Sequence, residues 1–170
     1  LRVIARADDC LAAAQSWAEQ KGFSVINLGG DLEGDAKALG ETHALRAIEL
    51  QDSGQKAVLI SGGEATVTVR NPNGCGGPNM DYVLGAALAL QGREGIAVLA
   101  CDTDGIDGSE DAAGGFVDET TLERCKSLSI NLPDLLEQNR SYDALKVLGD
   151  LILTGPTRTN VNDFRAILIE

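Results

Sequence analysis

Long apolar runs are missing from this sequence, and so is the basic charge that a nucleic-acid partner requires. The apolar stretch ending in "ALALQG" (87–92) is far too short to span a bilayer, and no signal-peptide pattern is present. Lys and Arg number 14 against 26 Asp and Glu, a formal net charge of −12, so the clustered cations that track a phosphate backbone are lacking. A small anionic ligand needs only a local pocket of donors and is not excluded. The four cysteines, Cys10, Cys75, Cys101 and Cys125, form no C-x-x-C pair. They read as reduced thiols of a cytoplasmic protein. The one histidine, His43, falls in a polar patch of a helical segment, where a solvated surface role is expected. No G-x-x-x-x-G-K-[ST] phosphate loop and no G-x-S-x-G elbow occurs. The first residue is Leu1 rather than methionine, and the expectation is a piece of something longer.

What is present is an ordinary folding composition: 170 residues, 44% hydrophobic, enough for one domain with a sizeable core. "LRVIA" (1–5) reads as a buried strand, with Asp8 or Asp9 capping a helix whose face carries Leu11, Ala14 and Ala18. "FSVINL" (23–28) is a second strand, closed by the loop "GGDLEGD" (29–35). A helix over 36–50 places Ala38, Leu45 and Ile48 on one stripe. "KAVLI" (56–60) is a fully apolar strand, whereas "ATVTVR" (65–70) alternates and reads as a separate, half-exposed one. A helix from about Asn79 to Gln91 turns Val83, Ala86 and Leu90 to the core. "GIAVLACD" (95–102) is another strand, 119–149 is helical in pieces broken near Pro133 and Asn139, and "DLILTG" and "FRAILIE" close the chain as strands. Strands alternating with helices predict an α/β class: one domain, a mixed β-sheet flanked by helices.

Ligand sites in open α/β sheets form outside the carboxyl ends of the strands. Three segments qualify: "SGGE" (61–64), "CDTDGIDGSED" (101–111) and "TGPTRTNVND" (154–163). Ahead of the helix at 79, "GCGGP" offers glycines, free N–H groups and a helix dipole. Such a loop suits a phosphate or carboxylate, or simply links strand to helix. Glu64 can orient a substrate hydroxyl, help hold a cation, or cap a surface turn. The acids Asp102, Asp104, Asp107, Glu110 and Asp111 are dense enough to repel one another unless donors or a cation compensate them. Magnesium with nucleotide phosphates is a natural partner, and turn capping is the plainer role. EF-hand spacing is broken by Ile106 and Ala113. Thr154, Thr157, Thr159 and Asn160 supply uncharged donors beside Arg158, though Thr and Asn are also common turn formers. "GCGGPN" matches a dinucleotide fingerprint only as far as G-x-G, with Asn79 in the third glycine position.

Taken in order, "LISGGEATVTV", "GCGGPN", "CDTDGIDGSEDAAGG" and "TGPTRTNVND" resemble the MOFRL family, the carboxy-terminal domain of glycerate 2-kinases, also long labelled hydroxypyruvate reductases. The likeness spans essentially residues 1–170 and is densest in those four motifs. It implies a two-domain enzyme that phosphorylates glycerate from ATP with Mg2+. The active site would lie in the cleft with an amino-terminal α/β domain that supplies a lysine. The resemblance implies catalytic roles for Glu64 of "GGE", Asp104 of "TDGxDG" and Asn160 of "TNVND". The residues themselves add candidate substrate or phosphate contacts from Gly62, Gly63, Gly76, Gly77, Asn79, Thr154 and Thr157, a candidate metal site of Asp102, Asp104 and Asp107, and Arg158 as a cation expected to restore part of the charge that Pro78 lacks. No nucleic acid and no membrane is implied as partner, and this chain by itself is expected to be inactive.

Two departures stand out. Pro78 occupies the position of a family arginine, with one extra residue between "GGE" and that loop, and Arg158 stands where the family usually has glycine. Proline cannot imitate a bidentate, permanent cation. Two further readings therefore stand beside the kinase: an NAD(P)H-dependent hydroxypyruvate reductase, and a catalytically inactive binding module.

Overall fold

Helix starts follow from local chemistry. The computed structural model describes residues 6–170, so the strand expected over 1–5 lies outside the described residues. Helix α1 (Ala7–Gln20) has Arg6 at its N-cap, and Asp9 reaches back from the first turn to accept the Arg6 N–H at 2.9 Å. Helix α2 (Ala36–Asp52) is capped by Asp35, which accepts from Ala38 N at 3.0 Å. Helix α3 (Pro78–Leu90) begins on its proline, whose missing N–H costs nothing there, and ends at Gln91 in the left-handed region. Short helices α4 (Thr121–Ser127), α5 (Leu132–Glu137) and α6 (Ser141–Leu148) fill the region expected to be helical in pieces.

Among the described residues, seven strands form one mixed sheet: β1 (Ser24–Asn27), β2 (Leu32–Asp35), β3 (Ala57–Thr66), β4 (Ile96–Asp102), β5 (Gly114–Val117), β6 (Leu151–Ile152) and β7 (Asp163–Ile169). The order is β1-β3-β7-β4-β5-β6, with β1 and β2 pairing in succession along one edge of β3. β1 and β2 run parallel to β3, while β7 runs antiparallel to both β3 and β4. The α/β class with a mixed sheet flanked by helices is the architecture found.

Some local expectations need correction. "KAVLI" and "ATVTVR" are not two strands: β3 continues through "SGGE" to Thr66, because β2 supplies a partner for Gly63–Thr66. β2 falls in the stretch read as a loop, and β5 (Gly114–Val117) was not foreseen. On α2 the buried residues are Ala36, Gly40, His43, Ala44, Ala47 and Leu50. Leu45 and Ala38 face out instead, because small residues let α2 pack closely on α3. His43 is buried, its Nδ1 2.8 Å from the Tyr82 hydroxyl, rather than solvated on the surface. All four cysteines are free. Among the described residues, no helix is long and apolar enough to cross a membrane.

The core lies between the sheet and the layer containing α2 and α3, with Leu59, Met80, Leu84, Ile96, Val98 and Ile167 fully buried. Helix α3 is buried along nearly its whole length, so its first turn sits against the end of the sheet.

Candidate active site

The antiparallel insertion of β7 between β3 and β4 brings three distant segments to one edge of the sheet. Gly63 pairs with Asp163, and Asp163 pairs with Asp102, so the end of β3, the start of β7 and the end of β4 are consecutive rungs. At a spacing of about 4.8 Å per strand, the β3 and β4 backbones stand about 10 Å apart there. Glu64 follows the first rung directly, Asp104 lies two residues past the last, and Asn160 precedes β7. Hydrogen bonds then stitch the two longer loops together. Thr103 donates its N–H and hydroxyl to Asn162 O, at 3.2 and 2.8 Å, and its hydroxyl oxygen accepts from Val161 N. Thr157 N donates to Asp104 O at 2.9 Å. Asn160 Nδ2 donates to Asp104 Oδ2 at 3.2 Å, and Ile106 N donates to Asp104 Oδ1 at 2.9 Å. Asp104 is therefore a positioned, half-buried carboxylate beside an exposed Asn160, and Glu64 is exposed at the same end of the sheet.

The glycine-rich loop has a different role from the one its sequence predicts. The anion at the start of α3 is the protein's own Asp107, which accepts from Asn79 N at 3.1 Å, Met80 N at 2.9 Å and Asn79 Nδ2 at 3.2 Å. Gly77 is the close approach that permits this: a Cβ there would lie 2.4 Å from Asp107 Cγ. Gly76 likewise abuts Ser141 Oγ. Burial is the main cause that pushes Asp107 up to about 7, its hydrogen bonds opposing and the Asp163 charge adding to it. The expectations of a metal on Asp107 and of a substrate contact from Asn79 are thus corrected: both side chains are buried and bonded to one another, while Gly76 and Gly77 give the close approach that this needs. Asn79 is buried, with Nδ2 also donating to Asp163 Oδ1 at 2.7 Å.

Gly62 and Gly63 are strand residues rather than a phosphate loop. Gly62 N donates to Gly29 O at 2.8 Å, and Gly62 O accepts from Arg165 Nη1 at 2.9 Å. Gly63 has φ +109°, and a Cβ there would come within 2.2 Å of the Leu32 backbone, so the residue serves β2–β3 pairing.

Sequence reading missed the group that holds this edge together. Asp163 and Arg165, both buried, form an ion pair. Asp163 also accepts from Ala65 N at 3.2 Å, and the Arg165 guanidinium sits 5.5 Å over the Tyr82 ring. The available signal was a charged pair at i, i+2 in an otherwise apolar strand, which places both on one face.

In the third loop, Thr154 and Thr157 donate their hydroxyls internally, to Gly155 O and Thr103 O. Arg158 is exposed, holds φ +62°, and has no ion pair among the described residues. For a cation, Asp102 and Asp104 remain. Asp102, raised mainly by burial, accepts from Asp104 N at 2.9 Å. No group of three or more His, Cys, Asp or Glu side chains among the described residues is arranged to hold a metal ion. Magnesium asks for less, one or two carboxylates with substrate phosphates and water, and Asp102 with Asp104 fits that demand.

Residues 57–163 match the MOFRL family. A protein of Agrobacterium vitis named "Putative hydroxypyruvate reductase" is 44% identical over 99% of this chain and 40% of its own length. A D-glycerate 2-kinase of Thermotoga maritima is 42% identical over 88% of this chain and 37% of its own. A crystal structure of glycerate kinase from Thermotoga maritima superposes with a TM-score of 0.94 at 40% identity, over 99% of this chain and 42% of that one. The chain spans about two-fifths of the length of these relatives.

Proposed function

The chain belongs to the MOFRL family, and on that premise we propose that it is the carboxy-terminal domain of a glycerate 2-kinase, forming one wall of a cleft in which phosphate passes from ATP to glycerate. The observation that carries this reading is the meeting of Glu64, Asp104 and Asn160 at one sheet end, with Asn160 hydrogen-bonded to Asp104. Asp104 accepts the proton of the attacking glycerate hydroxyl as its oxygen bonds to the γ-phosphorus and the bond to the departing ADP oxygen breaks. Asn160 keeps the Asp104 carboxylate oriented, and Glu64 accepts a hydrogen bond from the substrate's other hydroxyl. Asp102, one of the two carboxylates that fit magnesium, would hold the ion, which leaves Asp104 free to take the proton. When bound, that ion neutralises charge on the phosphoryl oxygens.

Arg158 carries the charge that Pro78 does not. It extends from the loop stitched to Asp104 and has no ion-pair partner among the described residues. A transition-state arginine is worth roughly 10³–10⁵ in phosphoryl-transfer rate, so partial replacement from the opposite loop is the difference between a slow and an inert enzyme.

The test is an assay of the full-length parent with glycerate, ATP and magnesium. Glu64→Gln and Asp104→Asn should each lower kcat/KM by roughly 10²–10³. Unchanged activity in both would overturn the assignment. The reductase reading draws on the name of the Agrobacterium vitis relative. NADH-dependent reduction of hydroxypyruvate by the same parent, without kinase activity, would favour it.

A further inference from the structure

Strands β4 and β7 are apolar on both faces. In "IAVLA" (96–100) and "AILI" (166–169), Ile96, Val98, Ala100, Ile167 and Ile169 are buried in the core, while Ala97, Leu99, Ala166 and Leu168 face the other way. Continuous apolar runs of this kind belong to strands covered on two sides. Among the described residues the second side carries α1, which packs chiefly over β1 and β3. What remains is a groove of about 390 Å³ with no charged side chain in its lining. Leu99, Ala166 and Leu168 floor it, Trp17 and Phe23 wall one flank, and Phe116 walls the other. Trp17 is 63% exposed and Phe116 37%. A contiguous apolar face on a chain of net charge −12 marks a contact surface.

The two flanks carry opposite charge. On the β1–β3 side, Lys21 follows Trp17 by one helical turn, its Nζ 5.7 Å from the centre of that ring. On the β4–β5 side stand Glu94, just before β4, and Glu119, just after β5, beside Ala97 and Leu168 of the groove. In the continued β3–β7 register Lys56 stands opposite Glu170, so those two balance each other within one chain. β7 runs midway, with β3 and β1 to one side and β4 and β5 to the other. A two-fold axis lying in the face along β7 therefore exchanges the flanks. Lys21 of one copy comes over Glu94 and Glu119 of the other, and Trp17 meets Phe116. An axis across the strands would set lysine on lysine and acid on acid.

We propose that this face is a homodimer interface, on which a second copy of the chain packs its own groove about the axis along β7, sheet on sheet. Its occupant must present an apolar face with a cation on one flank and acids on the other, and the chain itself presents that pattern. The apolar floor, four strands by about four residues, covers roughly 250 Å² in plan. A standard interface takes roughly 800 Å² from each partner, so the charged flanks belong to the contact and the dimer is reversible, with a Kd of roughly 1–100 µM. Ala97 and Leu168 lie five residues before the Asp102–Asp163 rung, about 16 Å along the strands, so dimerisation leaves that edge open. The interface stands or falls independently of phosphoryl transfer.

The experiment is sedimentation velocity of the full chain from about 1 to about 300 µM. The mass should rise with concentration from 17.8 kDa toward twice that value. Trp17 is the single tryptophan, so its emission should shift to the blue over the same range as the ring leaves water. Lys21 and Glu119 are exposed, so reversing their charge leaves the core untouched. Lys21→Glu and Glu119→Lys should each weaken association about tenfold, and the two together should recover most of that loss. A mass of 17.8 kDa at every concentration, or a double reversal no tighter than the single ones, would overturn the proposal. So would a full-length parent that stays monomeric over the same range, which would assign the face to the parent's own remaining residues.

Discussion

Asp107 accepts hydrogen bonds from both the backbone N–H and the side-chain amide of Asn79, at 3.1 and 3.2 Å, so the acid of one loop closes the helix start of another. Asn79 passes the connection on to Asp163, and Asp163 passes it to Arg165. The three segments that reach the sheet edge are therefore held by a buried polar chain lying behind the exposed groups.

Replacing Asp107 by asparagine keeps its size but turns one acceptor into a donor facing the first turn of α3. A loss of about 2 kcal/mol in unfolding free energy is expected from urea titrations, the cost of an unsatisfied buried N–H. A change within error would mean that water takes over the cap.

The pH dependence has a definite sign. Asp107 and Asp81 are raised to about 7 and about 6, chiefly by burial. Each binds its proton more tightly folded than unfolded, so its contribution to stability is full below about pH 4 and is lost as pH climbs to about 7. Denaturant midpoints should decline between pH 5 and 7, and the Asp81→Asn/Asp107→Asn double variant should flatten that decline.

Arg165→Met strands the buried Asp163 carboxylate and should cost about 3–5 kcal/mol. Adding Asp163→Asn should recover part of this loss, giving a coupling of about 1–3 kcal/mol in a double-mutant cycle. Additive losses would mean that the pair does not act as a unit.

Arg158 sits at φ +62°, a conformation that costs a side-chain-bearing residue about 1–2 kcal/mol relative to glycine. Arg158→Gly should therefore raise stability by about 1 kcal/mol while lowering the kinase rate of the parent, and Arg158→Ala should lower the rate without the gain. Pro78→Arg introduced into Arg158→Gly should restore activity. Activity indifferent to all three changes would remove Arg158 from the cleft.

Much of this protein is carried by local pattern. Apolar runs marked β4, β7 and the first half of β3, and Pro78 marked the start of α3. Four ordered motifs carried the family, because glycines and acids at set spacings survive as text even when their jobs are not evident. The strand ends near Glu64 and Asp104 could be named as a candidate site from that text, since a loop leaving an apolar strand is a local feature.

What tertiary structure decided is which groups stay open at the sheet edge and which are consumed inside. The same "GCGGP" serves an external phosphate or an internal carboxylate equally well as a sequence. Only the return of the 102–111 loop puts Asp107 on the helix start and removes that anion site from solvent. β2 and the last residues of β3 are strands because they pair with each other, residues 32–35 with 63–66, across a separation no local pattern reports. His43 went inward because the close packing of α2 on α3 brought the Tyr82 hydroxyl within 2.8 Å of it. Propensity and periodicity act over a few residues, whereas desolvating a carboxylate or burying an imidazole depends on partners far along the chain: Asp107 lies 28 positions from Asn79, and Asp163 84.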